Sequence, residues 1–177
     1  MDWDYTVYSK NQSQKLINQA KTKELKILAK LGIFGKTTLQ VAQEVQRQSL
    51  ASGITCSEVI IRAVGYQYWT EIRSKTTWYK KLIPKLKDRF PILPENCRLI
   101  IASHTPKKLI QTALSQVKAT IEIYTPEELE TFKPDPEFFS RIAKRQGFPP
   151  SQCLYIGDKL EIDIFPALQA NFHWAFS

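Results

Sequence analysis

No stretch of this 177-residue chain is apolar for anything near the roughly 18–20 residues that a membrane-spanning helix needs. The opening, MDWDYTVY, lacks the basic-then-apolar layout of a secretory leader, so the expected compartment is the cytoplasm. Cysteine is scarce. Cys56, Cys97 and Cys153 share no CxxC spacing, and an odd count leaves one unpaired in any monomer. Cys97 and Cys153 each border an apolar run, and small buried thiols are the expectation for the three. His104 and His173 are the only histidines, and a zinc site would need more histidine and cysteine than this. Neither an internal repeat nor a low-complexity tract is present.

What is there is a globular composition, 43% hydrophobic and 24% charged, long enough for one real core or a core plus a small insert. The net charge of +8 is unevenly placed. Residues 1–95 carry 16 Lys/Arg against 8 Asp/Glu, whereas residues 96–177 carry 9 of each. A basic first half suits an anionic substrate or nucleic acid. The basic residues are scattered rather than run together, so the nucleic-acid signal is weak and a lysine-rich solvated helical face is the favoured reading.

Two textures divide the chain. From about 11 to 90 it reads as helix after helix. NQSQKLINQAKTKELKILAKLG places Leu16, Ala20, Leu28 and Leu31 at helical spacing, with Gly32 to close it. Thr37 and Gln40 fit a capping box that opens a second helix, and Gly53 ends it. SEVIIRAVGYQYWTEIRS predicts a third, with Val59, Ala63, Tyr66 and Ile72 near one face, and TTWYKKLIPKLKDRF a fourth, broken by Pro84. Tyr66, Tyr68, Trp69, Trp78 and Tyr79 are expected to pack between these helices.

From about residue 97, short β-type runs alternate with capped helices. RLIIA (98–102), TIEIY (120–124) and CLYIG (153–157) are strand candidates. Between them, Thr105 with Pro106, Thr125 with Pro126 and Glu128, and Asp135 with a Gly147 stop mark helices. This alternation predicts an α/β fold: a Rossmann-like parallel sheet flanked by helices, with a helical insert. The expected division is 1–10 and 91–177 for the core and 11–90 for the insert.

Open parallel sheets bind ligands beyond the carboxyl ends of their strands. Ser103 follows RLIIA, and Asp158 follows CLYIG. Lys133 lies in a loop before a helix, and Asp2 and Asp4 would follow a strand if one preceded them. Taken singly, Ser103 is a turn residue, Lys133 a loop lysine and Asp158 a helix cap. Together, DWDYT, IIAS, KPDPEFF and YIGDKLEID resemble the four motifs of the haloacid dehalogenase-like hydrolases, in the family's order, and the helical stretch between the first two resembles its helical cap. KPDP followed by GDxxxxD is the most specific piece.

The resemblance implies a Mg²⁺-dependent phosphatase acting on a small anionic phosphorylated substrate. It implies Asp2 as a nucleophile forming an aspartyl-phosphate, and Asp4 as the group that protonates the leaving oxygen and later activates water. It implies Mg²⁺ held by Asp2, the Asp4 carbonyl and Asp158, with Asp163 in support. Ser103 would hydrogen-bond a phosphoryl oxygen, Lys133 would neutralise charge, and Thr6 would hold the loop. Tyr5 replaces the usual small residue, His104 stands where asparagine is frequent, and Asn171, near a usual glycine, tolerates positive φ.

Only Met1 precedes DWDYT, whereas a parallel strand takes about 4–6 residues. Three readings stay open: an apolar strand encoded upstream, a naturally short member with little or no catalysis, or a coincidental DWDYT. A second functional class follows from the middle one, a family-like fold without turnover whose basic cap binds an anionic partner. The sequence sets neither substrate nor oligomeric state.

Overall fold

A computed structural model describes residues 10–75, 93–115 and 121–176. The chain divides into two compact units, Asn11–Lys81 and Met1–Lys10 with Leu82–Ser177.

The first unit is helical. Its elements are α1 (Lys10–Lys30), α2 (Thr38–Ser52), α3 (Cys56–Val64) and α4 (Tyr66–Ser74). Thr37 and Gln40 close the expected capping box on α2, and Gly53 caps its other end at φ 64°. Ala20 and Leu28 of α1, Val41 and Val45 of α2, Val59, Ile60 and Ile61 of α3, and Trp69 and Ile72 of α4 form its core.

Several expectations need correction here. Leu31 is 48% exposed, because α1 ends at Lys30 and the chain turns away. The third helical stretch is two helices: Gly65, at φ 79° and ψ 151°, breaks it. Within α3 the buried face is made by Val59, Ile60 and Ile61, and Ala63 is exposed. Of the aromatics, Trp69 is fully buried and Tyr66 meets it edge-on at 5.6 Å, while Tyr68 is exposed. The Leu16 side chain, Trp78, Tyr79 and the Pro84 segment lie outside the described residues.

The second unit alternates strand and helix: β1 (Ile100–Ala102), α5 (Lys107–Leu114), β2 (Glu122–Tyr124), α6 (Pro126–Leu129), α7 (Pro136–Gln146), β3 (Leu154–Gly157), α8 (Phe165–Gln169) and β4 (His173–Phe176). Among the described residues the strands form two parallel pairs, β1 with β2 (Ile101 opposite Ile123) and β3 with β4 (Tyr155 opposite Trp174). Parallel neighbours need crossover connections, which the helices provide. The expected box at Thr125 and Glu128 opens α6, and Asp135 caps α7, which ends at Gly147 with φ 70°. Asn171 sits at φ 62°, as its residue type allows. Thr105 is not the cap of α5: Pro106 holds that position, and its carbonyl accepts from Leu109 and Ile110.

Aromatic rings dominate this core. Phe139 meets Phe138 at 5.6 Å, Tyr155 at 4.8 Å and Phe172 at 5.7 Å, all edge to face. The expectation of buried thiols fails. Cys56 begins α3 and Cys97 lies in a turn, both exposed, and Cys153 is half-buried; all three are free.

Candidate functional site

The strand ends of the second unit gather charge that a core would ordinarily exclude. Lys133, from the loop before α7, is only 3% exposed, and Asp163, from the turn after β3, 1%. Their side chains meet with Nζ 2.6 Å from Oδ1. Burying two charges is tolerable only when they are paired and hydrogen-bonded. The remaining bonds are present. Lys133 Nζ donates to the Tyr155 hydroxyl at 2.9 Å, the Tyr155 hydroxyl lies 3.2 Å from Asp163 Oδ1, and the Lys159 backbone N–H donates to Asp163 Oδ2 at 3.2 Å.

Local backbone places Asp163. Leu160–Ile164 forms a π-helical turn, in which the Asp163 and Ile164 N–H groups both reach the Lys159 carbonyl. The turn folds the Asp163 side chain back over Gly157. A Cβ at position 157 would lie 2.5 Å from Asp163 Cβ, so β3 must end on glycine for the carboxylate to reach Lys133.

Ser103 directly follows β1 and is buried; its N–H extends the β1–β2 pairing by donating to Tyr124 O, and its Oγ accepts from the Thr105 N–H. Its two neighbours both bond the charged cluster. The Ala102 carbonyl faces the Tyr155 hydroxyl at 3.3 Å, and His104 Nε2 accepts the Lys133 backbone N–H at 3.0 Å. His104 is therefore a neutral imidazole, its pKa held well below the usual value by burial and then by Lys133 and Lys159. Phe132 and Phe138 pack against its ring.

Asp158 follows β3 but caps no helix; Lys159 precedes the π turn. Its Oδ1 is buried with no hydrogen-bond partner among the described residues. Burial pushes its pKa up and Asp163 adds to that, against the opposing pull of Lys159 and Lys133. A buried carboxylate oxygen without a donor fits a hard divalent cation, which binds through oxygen. Among the described residues no three Asp, Glu, His or Cys side chains converge on one point. Asp2 and Asp4, the other metal ligands that the sequence resemblance implies, lie outside the described residues, as does Thr6.

Ser103, Lys133, Asp158 and Asp163 therefore gather at the carboxyl ends of β1 and β3. The residue that sequence reasoning passed over is Tyr155. Its signal was available, since a tyrosine in the middle of a buried strand must find a partner for its hydroxyl. In the helical unit, Lys26, Ile27, Ala29, Lys30, Lys36, Thr37 and Thr38 line a separate cavity of about 420 Å³.

A model of the haloacid dehalogenase-like hydrolases matches residues 20–171. Among solved structures, a HAD-hydrolase from Bacillus subtilis, YfnB, bound to magnesium, is similar at 18% identity and TM-score 0.50, covering 90% of this chain and 81% of that one. A β-phosphoglucomutase from Clostridium difficile is similar at 20% identity and TM-score 0.51, covering 89% and 77%. At these identities the likeness is one of fold, a Rossmann-like α/β arrangement. No curated protein sequence matches the chain.

Proposed function

The chain belongs to the haloacid dehalogenase-like hydrolase family, and from that premise we propose that it is a phosphatase acting on a small phosphomonoester with Mg²⁺. The observation that carries this reading is the paired Lys133 and Asp163 beside Asp158, whose Oδ1 has no partner among the described residues, at two strand ends. Phosphoryl transfer needs positive charge on the transferring oxygens and an acid–base group at the leaving oxygen.

In this reading the Asp2 carboxylate attacks phosphorus and forms an acyl-phosphate, while Asp4 gives its proton to the departing alkoxide. Asp4 then takes a proton from water, which attacks the same phosphorus, releases inorganic phosphate and restores Asp2. Ser103 donates to a phosphoryl oxygen, Lys133 offsets its charge, and Thr6 steadies the nucleophile's loop. Asp2, the Asp4 carbonyl and Asp158 would hold Mg²⁺, with Asp163 in support. Bound there, the cation would supply charge neutralisation. Residues 11–90 act as a cap that selects the substrate, and 1–10 with 91–177 form the catalytic core. Three free thiols fit a reducing compartment such as the cytoplasm.

The test is hydrolysis of an aryl phosphate by the purified chain, with Mg²⁺ and with chelator. Mg²⁺-dependent release that Asp2→Asn abolishes is the expected result; full activity in Asp2→Asn refutes the assigned nucleophile.

Three lysines, Lys26, Lys30 and Lys36, among the residues lining the helical unit's cavity are compatible with one alternative, a family member without turnover that binds an anionic partner. Its test is a salt titration with mixed nucleic acid: a steep fall in affinity supports it, and no binding at low salt removes it.

A further inference from the structure

The geometry points to Tyr155 as a positioning residue that ties together the three segments carrying Ser103, Lys133 and Asp163. Tyr155 lies within β3 and is buried, its ring fixed edge to face on Phe139 at 4.8 Å. The ring packing delivers the hydroxyl to a point between a cation and two acceptors. Its oxygen accepts from Lys133 Nζ at 2.9 Å. Its single proton has Asp163 Oδ1 at 3.2 Å and the Ala102 carbonyl at 3.3 Å. A phenol can serve both sides at once, because its oxygen keeps lone pairs while the O–H donates.

Each of those three contacts belongs to a different segment. Ala102 is the last residue of β1 and precedes Ser103; Lys133 comes from the loop before α7; Asp163 comes from the π turn. No other side chain among the described residues hydrogen-bonds to all three of these segments. A lysine ammonium is a point charge on a flexible stem. Asp163 fixes it at one contact, and the hydroxyl adds a second that sets its direction. Phenylalanine would keep the ring's packing and remove the hydroxyl's three contacts together.

The catalytic consequence rests on the proposed phosphatase activity, but the clamp itself does not, and the experiment separates the two. Tyr155→Phe is made in the full chain, with Tyr124→Phe as control. The Tyr124 hydroxyl bonds Glu122 and Gln146, away from the cluster. Acetylation of Lys133 by an amine-reactive ester is followed by peptide mass spectrometry, alongside kcat and KM on an aryl phosphate. Loss of the hydroxyl's contacts, the charge-assisted one to Lys133 among them, predicts about tenfold faster labelling of Lys133 and about tenfold lower kcat in Tyr155→Phe, with neither change in Tyr124→Phe. Unchanged Lys133 labelling in Tyr155→Phe overturns the role, and a lowered melting temperature with unchanged labelling and kcat leaves Tyr155 as packing alone. A wild-type chain that hydrolyses no phosphomonoester sinks the phosphatase reading, and the labelling still decides Tyr155.

Discussion

Each unit of this chain buries an acid and a base beside an aromatic ring, and the two clusters use their carboxylates differently. In the helical unit, Glu24 of α1 accepts from the Trp69 indole N–H at 2.7 Å and from Arg73 at 3.5 Å, both on α4. The Arg73 guanidinium also lies over the Trp69 ring at 5.0 Å. Both oxygens of this carboxylate are used, one by each partner, and the cluster joins two helices. In the α/β unit, Lys133, Asp163 and Tyr155 are as tightly bonded, but a second acid, Asp158, stands beside them with an oxygen that has no partner among the described residues. The contrast shows that a buried ion pair by itself marks no chemistry. At Asp158 it is the leftover oxygen lying beside the Lys133–Asp163 pair that points to a ligand.

The comparison can be broken from either side. The largest effect is expected from Glu24→Ala, which removes the acid paired with Arg73 inside the helical unit. Removing one partner of a buried pair costs about 3–5 kcal/mol, read from denaturant unfolding. A loss below about 1 kcal/mol would show the pair to be solvated in solution. Next, Lys133→Met should lower phosphatase turnover by about 10²–10³-fold, the usual effect of removing a group that stabilises developing charge. Full turnover in Lys133→Met would make this pair as structural as Glu24 with Arg73.

Gly157→Ala tests the seat of Asp163. An added methyl 2.5 Å from Asp163 Cβ must push the carboxylate aside. Overpacking of this kind costs about 1–3 kcal/mol, and turnover should fall with it. The smallest effect concerns His104. Its folded pKa lies below the unfolded value, so below about pH 6.5 the unfolded chain takes up a proton that the folded chain refuses. Stability from this group is therefore present above that pH and lost as pH falls toward the lowered folded value. His104→Gln, whose amide can still accept the Lys133 N–H, should show a flatter stability profile between pH 7 and 5 in thermal melts.

How much of this was legible depends on how far apart the causes sit along the chain. The boxes at Thr37 with Gln40 and Thr125 with Glu128 were readable, because a cap is a bond between residues three apart. The strands beginning at Ile100, Glu122 and Leu154 were readable as short β-type runs, each shorter in the structure than its run. The split at Gly65 was not, since a glycine inside a helical pattern is often tolerated and only tertiary packing decides. Exposure of Cys56 and Cys97 was hidden for the same reason. At the site, strand-end logic singled out Ser103, Lys133 and Asp158, and the family resemblance added Asp163. What no local pattern carried was the bond of Tyr155 to Ala102, 53 residues away, or of Lys133 to His104, 29 away.

The widened turn at Leu160–Ile164 has a consequence for how this region can vary in length. A π turn holds one more residue than an α turn, and in an α-helix each residue advances by about 100° around the axis. Deleting a single residue between Lys159 and Asp163 would let the segment relax to ordinary helix and shift the acid relative to Gly157 and its lysine. The spacing from the end of β3 to Asp163 is thus a count the chain must keep, whichever side chains fill it.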